Sequence, residues 1–481
     1  MNPLYNIDFY KVGHVSQYPQ DTTRVWSNWT PRSARVPAED GVRFFGLQYH
    51  IKKDLRQQWY DGFFSRPWFY VVKEYKEIIK ATLGVENPRT DHIEKLHGLG
   101  YLPIDIYALP EGTSSPLKVP QLVITNTTDD SFWLPNYIET ALSNTLWKPC
   151  TSATTAKRYR NIFEKYARLA GETDLSFVDY MGHDFSYRGM SGTEDAVLSG
   201  MGHLLSFNGT DTIPAILAAD NYYNAGLGCG GSVPATEHSV MCAGEKDGEF
   251  ETFKRLLTEV YPEGIVSVVS DTWDLWKVLT DYIPRLKEII LSRNGKLVIR
   301  PDSGDPVKIL TGDDSKSINS PEWNGAMELL ARALGVTSNA AGYELINNGG
   351  LIYGDSITPE RAEEIMRRTI VHRFHPYNVV LGIGSFTYQF VTRDTYGFAM
   401  KATAVKRNGQ VIPIFKKPIT DSGEKTSLKG IPAVHLVNGQ YQVVDEQPPE
   451  ALDNCAFRKV FSNGDLLIEE DFDTIRKRVR N

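Results

Sequence analysis

Lys296-Leu297-Val298-Ile299-Arg300-Pro301-Asp302-Ser303-Gly304 sets an apolar run directly before a polar turn, and the same layout recurs three more times along the chain. Ile265–Asp271, Gly350–Ser356 and Asn378–Ser385 each read as a strand with Asp, Gly or Ser at its C-terminal end. Strands built this way place those groups around one rim, which is where α/β barrels and open α/β sheets carry their active sites. The spacing suits βα repeats, with helices expected at Thr155–Leu169 and Ala196–Leu205, and it favours a barrel or half-barrel over a doubly wound sheet.

On either side of this region the pattern changes. The first 145 or so residues combine a helical stretch, Tyr70–Leu83, with strand-like runs at Ile104–Leu109 and Gln121–Asn126. Beyond Lys401 short β runs return, Val411–Phe415 and Gln440–Val444, around the polar loop Thr420–Lys429. The expected organisation is an irregular α/β barrel over 149–398 and a mixed α+β domain built from both termini, 1–148 and 399–481.

A chain of 481 residues, 41% hydrophobic, can bury a large core and exceeds the usual size of one domain. Its net charge of -7 argues against a general electrostatic grip on nucleic acid, so any bound anion must be held locally. Cys150, Cys229, Cys242 and Cys455 show neither metal-type pairing nor a disulfide framework, which suits a reducing compartment. With no leader-like start and no run of eighteen apolar residues, the protein is expected to be cytoplasmic and free of membrane.

Arg300-Pro301-Asp302-Ser303-Gly304-Asp305-Pro306 puts a guanidinium beside carboxylates, a turn suited to ribose hydroxyls, magnesium or phosphate, or to no more than a salt-bridged turn. Tyr353-Gly354-Asp355-Ser356 and Gly382-Ile383-Gly384-Ser385 repeat the theme, their glycines letting backbone amides approach an anion. Each turn alone is weak; several in register point to a phosphorylated ligand. His183-Asp184-Phe185-Ser186-Tyr187-Arg188-Gly189 offers Phe185 or Tyr187 to stack on a flat ring and Arg188 to bond a ring substituent or phosphate. Asp211, in Gly209-Thr210-Asp211-Thr212, reads by default as a helix cap.

His238, beside Glu237, suits a base or phosphoryl acceptor, although a lone histidine is more often structural. Gly226-Leu227-Gly228-Cys229-Gly230-Gly231 lacks the preceding strand and following helix of a dinucleotide fold and reads as a flexible loop. Thr420–Ser427 fails as a P-loop because its first glycine is missing and Glu424 separates Gly423 from Lys425.

Taken in order, Tyr10-Lys11, Phe45-Gly46-Leu47-Gln48-Tyr49, His183–Gly189, Gly209–Thr212, Ser232–Ser239, Ser267–Asp271 and Arg300–Gly304 resemble the nicotinamide phosphoribosyltransferase family nearly end to end. Gly384–Tyr388 with Thr392-Arg393-Asp394 is similar to its bacterial and phage branch. The resemblance implies a type II phosphoribosyltransferase fold that condenses nicotinamide with phosphoribosyl pyrophosphate, giving nicotinamide mononucleotide and pyrophosphate for NAD salvage. It further implies magnesium held mainly through pyrophosphate, ATP as an accessory substrate, and a homodimer with shared active sites.

By that resemblance Phe185 and the second subunit's Tyr10 sandwich the pyridine ring, Asp8 comes from the same partner, and Arg188 reaches the amide region and the nucleotide phosphate. Asp211 reads the carboxamide, accepting its N–H while repelling the carboxylate of nicotinic acid. Asp302, Gly354 and Asp355 hold ribose and magnesium-pyrophosphate, Asp271 and Arg300 line the site, and Gly384 lies near the product phosphate. His238 is the histidine phosphorylated by ATP. Arg32, Arg393 and Lys401 contact phosphates across the dimer, with Lys416, Lys417 and Lys425 as further candidates. The sequence departs from the family in the run Gly384-Ser385-Phe386-Thr387-Tyr388 and at Ala399, both of which bear on phosphate and ATP contacts. The rival readings are a nicotinate phosphoribosyltransferase, discriminated by Asp211, and a non-catalytic nucleotide-binding protein on the same fold.

Overall fold

A computed structural model of the chain describes residues 2–38, 40–416 and 427–481. They form two compact units: residues 1–154, 218–225 and 391–481 make one, and residues 155–217 and 226–390 the other. The boundary falls inside the long helix Glu139–Leu169, which starts well before the expected Thr155 and carries Pro149 within it.

The first unit is organised on a seven-stranded sheet in which Ala399–Arg407, Thr22–Thr30, Leu122–Asn126, Ile104–Ala108 and Arg458–Ser462 lie side by side. All these neighbours are antiparallel, and Thr22–Thr30 pairs directly with Ala399–Arg407, so strands from both ends of the chain share one sheet. Trp26, Trp29, Ile104, Ile106 and Phe398 are buried in its core.

The second unit holds six parallel strands: Gly182–Asp184, Gly209–Thr210, Val266–Val269, Leu297–Arg300, Gly349–Tyr353 and Val379–Ile383. Val266–Val269 and Gly349–Tyr353 are buried at every position, as parallel strands covered on both faces must be, which is why they read as largely apolar runs without polar alternation. From the second strand the spatial order runs through the first, sixth, fifth and fourth to the third, a cyclic sequence rather than the reversal of a doubly wound sheet. The gap between second and third strands is spanned by 231–236: Gly231 bridges to Gly209 and Ala235 to Ser267, both parallel. Thr210 N–H donates to the Gly231 carbonyl and Thr236 N–H to that of Ser267. The glycine-rich stretch expected to be a flexible loop therefore ends by closing an irregular ring.

Helices leave the strand ends through specific caps. Asp305 accepts from the backbone N–H groups of Val307 and Lys308 to start Pro306–Thr311, and Thr358 caps Pro359–Val371. Among the described residues no helix is long and apolar enough to cross a membrane, and no disulfide joins any of the four cysteines.

Candidate active site

The C-terminal ends of the six strands gather most of the residues singled out from sequence. Phe185 directly follows the Gly182–Asp184 strand, and two bare backbone positions make room for its ring. A Cβ at Gly382 would fall on the Phe185 ring and stand 2.7 Å from Gly354 Cα, while one at Gly354 would lie 3.2 Å from Phe185 Cδ2 and 3.3 Å from Asp302 Oδ1. The glycines of the last two strands thus form a shelf for the aromatic ring, with Asp302 at its edge. Arg188, one turn further, is exposed and makes no hydrogen bond or ion pair among the described residues.

Asp302 and Asp271 are tied together, because Asp271 Oδ2 accepts from the Asp302 backbone N–H at 2.9 Å and from Ser303 Oγ at 2.5 Å. Asp271 Oδ1 is buried without a hydrogen-bond partner and faces His238 Nε2 at 3.8 Å. His238 opens the short helix His238–Ala243, half exposed, with Nδ1 3.2 Å from Thr272 Oγ1. An orphaned carboxylate oxygen beside an accessible imidazole is an arrangement that can hold an imidazole proton or steady a charged histidine.

Gly304, at φ +94, completes the turn after Asp302 in a conformation costly for residues with a Cβ, and Tyr353 Oη donates to its carbonyl at 2.9 Å. Burial and then the charges of Asp355, Asp271, Asp302 and Asp305 push the Tyr353 phenol upward. These carboxylates give the rim a negative potential, yet among the described residues no three His, Cys, Asp or Glu side chains converge as a metal site. Oxygen ligands at separate points of one rim suit a magnesium ion whose remaining ligands are water and substrate phosphate. Asp305 is spent on its helix cap. Gly384 precedes the Ser385–Tyr388 turn, and a Cβ there would meet only the Gly354 carbonyl oxygen, at 3.9 Å.

Asp211 does not cap a helix through its side chain. Its Oδ1 accepts from His183 Nε2 at 2.9 Å and from Ser232 Oγ at 2.6 Å. Partial burial would raise its carboxyl, but the His183 bond and charge, Ser232 and the Arg300 guanidinium outweigh that and lower it, so Asp211 is ionised. Sequence reading gave no individual role to His183 or Ser232 and took Gly382 only as a glycine letting backbone amides approach an anion, not as the floor beneath Phe185. His183 carried a signal, since period two places it on the same strand face as Phe185.

The first unit gathers the remaining candidates. Asp8 accepts from Thr140 Oγ1 at 2.8 Å, and Tyr10 is exposed beside it. Lys11 is buried and paired with Glu139 at 2.8 Å. Arg32 donates from Nε to the Gly397 carbonyl, and Arg393 reaches Asp394. Lys401 is an exposed residue, yet partial burial of its ammonium, and then Arg32, Lys11 and Arg393, press it below the ordinary lysine value against the pull of Glu139. Lys11, Arg32, Arg393 and Lys401 outnumber the carboxylates paired with them, Glu139 and Asp394, and leave an excess of positive charge suited to an anion. Lys416 lies outside this group, its backbone bonded to Ser427, and Lys417 and Lys425 lie outside the described residues. A cavity of ≈ 500 Å³ in the first unit, walled by Tyr60, Tyr101 and Arg56, is lined by none of these candidates.

A ring of parallel strands with Asp- and Gly-bearing turns at its C-terminal rim is the architecture of type II phosphoribosyltransferases. The chain belongs to the nicotinate phosphoribosyltransferase (NAPRTase) family, whose model matches residues 180–464, and the model of the nicotinamide phosphoribosyltransferase N-terminal domain matches residues 2–106. Among its relatives is the nicotinamide phosphoribosyltransferase of Acinetobacter baylyi, 47% identical across 100% of this chain and 97% of that protein. The enzymes of the same name from Xanthomonas campestris and Mycoplasma genitalium are 32% and 34% identical over 99% and 87% of this chain, and over 97% and 92% of their own lengths. The fold is shared with nicotinate-nucleotide pyrophosphorylase from Pyrococcus furiosus, at TM-score 0.57 and 16% identity over 99% of this chain and 94% of that one. Human nicotinic acid phosphoribosyltransferase gives TM-score 0.57 and 14% identity over 98% and 92%.

Proposed function

We propose that this protein condenses nicotinamide with phosphoribosyl pyrophosphate to give nicotinamide mononucleotide and pyrophosphate, a step of NAD salvage. The observation that carries the choice of base is Asp211, an ionised carboxylate at the rim with Oδ1 already bonded and Oδ2 open. It accepts an amide N–H and repels a carboxylate.

Phe185, seated on Gly354 and Gly382, offers one face to the pyridine ring. Asp302 and Asp355 accept from the ribose hydroxyls, Asp302 being oriented through Asp271, and Arg188 and Arg300 face the product phosphate and base. The pyridine nitrogen attacks the anomeric carbon as the C–O bond to pyrophosphate breaks, so no covalent enzyme intermediate is needed; positioning and charge stabilisation supply the rate. The rim carboxylates Asp302 and Asp355 would stand beside a magnesium ion held mainly by the substrate's pyrophosphate, which would supply partial neutralisation of the leaving group's charge.

His238 is the residue for ATP coupling: an imidazole nitrogen takes the γ-phosphoryl group as ADP departs, and Asp271 and Thr272 steady the ring. The cationic group around Lys401, with Asp8 and Tyr10, completes the site of a second copy in a homodimer. The test is to supply purified protein with phosphoribosyl pyrophosphate, magnesium, ATP and each base separately, and to identify the mononucleotide by chromatography. Nicotinamide mononucleotide is expected; product from nicotinic acid alone overturns the choice of base, and no product overturns catalysis.

A further inference from the structure

The hydrogen bonds around Asp211 carry more than a contact with the base. An ionised carboxylate only accepts, so His183 Nε2 must hold the proton of the 2.9 Å bond to Asp211 Oδ1. The other ring nitrogen packs against a bare backbone: a Cβ at Gly209 would stand 2.8 Å from His183 Nδ1 and 3.0 Å from the Gly182 carbonyl. His183 is nearly buried, its ring 4.6 Å from that of Phe185 between centroids. The imidazole is thus held in place by neighbouring backbone and ring, with its Nε2–H directed at Asp211.

Ser232, on the segment that closes the ring of strands, donates to the same Oδ1 at 2.6 Å. Asp211 Oδ2 has no hydrogen-bond partner among the described residues. We propose that His183 is a positioning residue for base selection, donating to Asp211 Oδ1 so that the carboxylate is fixed with Oδ2 alone presented to the carboxamide of the incoming base. This rests on the nicotinamide reading of the site. The titratable and charged groups acting on Asp211 are His183 and Arg300, both of which lower its carboxyl. A depressed carboxyl stays ionised as pH falls, and amide recognition is lost only once pH drops through it.

The test compares the full-length wild type with His183→Ala, His183→Gln and Gly209→Ala, measuring kcat/KM for nicotinamide and nicotinic acid at saturating phosphoribosyl pyrophosphate and magnesium. In His183→Ala the nicotinamide-to-nicotinic acid ratio falls at least tenfold, mainly through the nicotinamide KM, and the acid limb of the nicotinamide profile moves to higher pH. His183→Gln, which keeps an N–H donor, recovers part of the ratio. Gly209→Ala shifts it in the same direction as His183→Ala while retaining every polar group, and decides the matter if His183→Ala does not fold. An unchanged ratio in active His183→Ala, or equal losses for both bases, which would mean action through Phe185, overturns the proposal alone. Wild-type preference for nicotinic acid overturns the functional reading with it.

Discussion

Replacing Gly382 by alanine should damage base binding through a ring displacement that can be sized. The new Cβ would lie 2.7 Å from Gly354 Cα and 2.8 Å from Phe185 Cε2, with Phe185 Cδ2 closer still. Carbon atoms settle at about 3.5–4 Å, so something must retreat by about 1 Å. Gly354 Cα follows directly on the neighbouring parallel strand, whose ladder resists the shift, and the Phe185 ring is the part that can move.

Overpacking of this kind costs about 1–3 kcal/mol, which a fold of this size survives. A displacement of about 1 Å in a substrate-positioning group lowers rates by roughly 100-fold. The expectation is therefore a folded enzyme whose kcat/KM for nicotinamide falls by between roughly 10- and 100-fold, with the phosphoribosyl pyrophosphate KM little changed. Gly350→Ala is the control on the adjacent strand, because its Cβ would meet only ordinary contacts at 3.7 and 3.8 Å. Steady-state kinetics on both, with circular dichroism to establish folding, decides the point. Unaltered nicotinamide kinetics in folded Gly382→Ala, or an equal loss in Gly350→Ala, would refute the shelf.

Other perturbations probe separate parts of the account. Asp211→Ser removes a charged acceptor worth about 1.5–3 kcal/mol, so the preference for nicotinamide should drop by roughly 10–100-fold; retained discrimination between amide and acid in steady-state assays counts against Asp211. His238→Ala should abolish stimulation by ATP while leaving slow ATP-independent synthesis, and full coupling in the variant would take His238 out of that role. Burial pushes the Glu111 carboxyl up to about 7 despite donors from Gln48, Gly46 and Tyr223. Its native value exceeds an unfolded one of about 4.3, so the folded chain binds the extra proton and stability falls as pH rises from about 4.3 to 7, then levels. Glu111→Gln should lose this component and lower overall stability, since its amide faces N–H donors; thermal midpoints across that range that keep the wild-type slope would contradict the sign.

The four apolar runs with polar C-terminal turns were legible because parallel strands covered on both faces stay largely apolar, fully buried in Val266–Val269 and Gly349–Tyr353 and with half-buried positions in Leu297–Arg300 and Val379–Ile383. Gly182–Asp184 and Gly209–Thr210 escaped notice, since runs of three and two residues carry no periodicity. The closing segment 231–236 was hidden for a related reason: it joins the ring through isolated bridges, and its glycines and proline read as loop. Phe185, Asp211, Asp302 and His238 were visible as residue types in ordered motifs. What no sequence window exposes is distance between elements, such as Gly382 beneath the Phe185 ring or His183 on Asp211, 28 positions away.

The central claim is that this rim selects an amide over an acid while joining it to phosphoribosyl pyrophosphate. Equimolar nicotinamide and nicotinic acid in one reaction with magnesium, ATP and limiting wild-type enzyme, resolved by mass spectrometry, measure that selection directly. A half-exposed, ionised acceptor fixed in place and reinforced by charge repulsion predicts nicotinamide mononucleotide in excess by a factor on the order of 100. Comparable amounts of the two mononucleotides, or a majority of the nicotinic acid product, would contradict it.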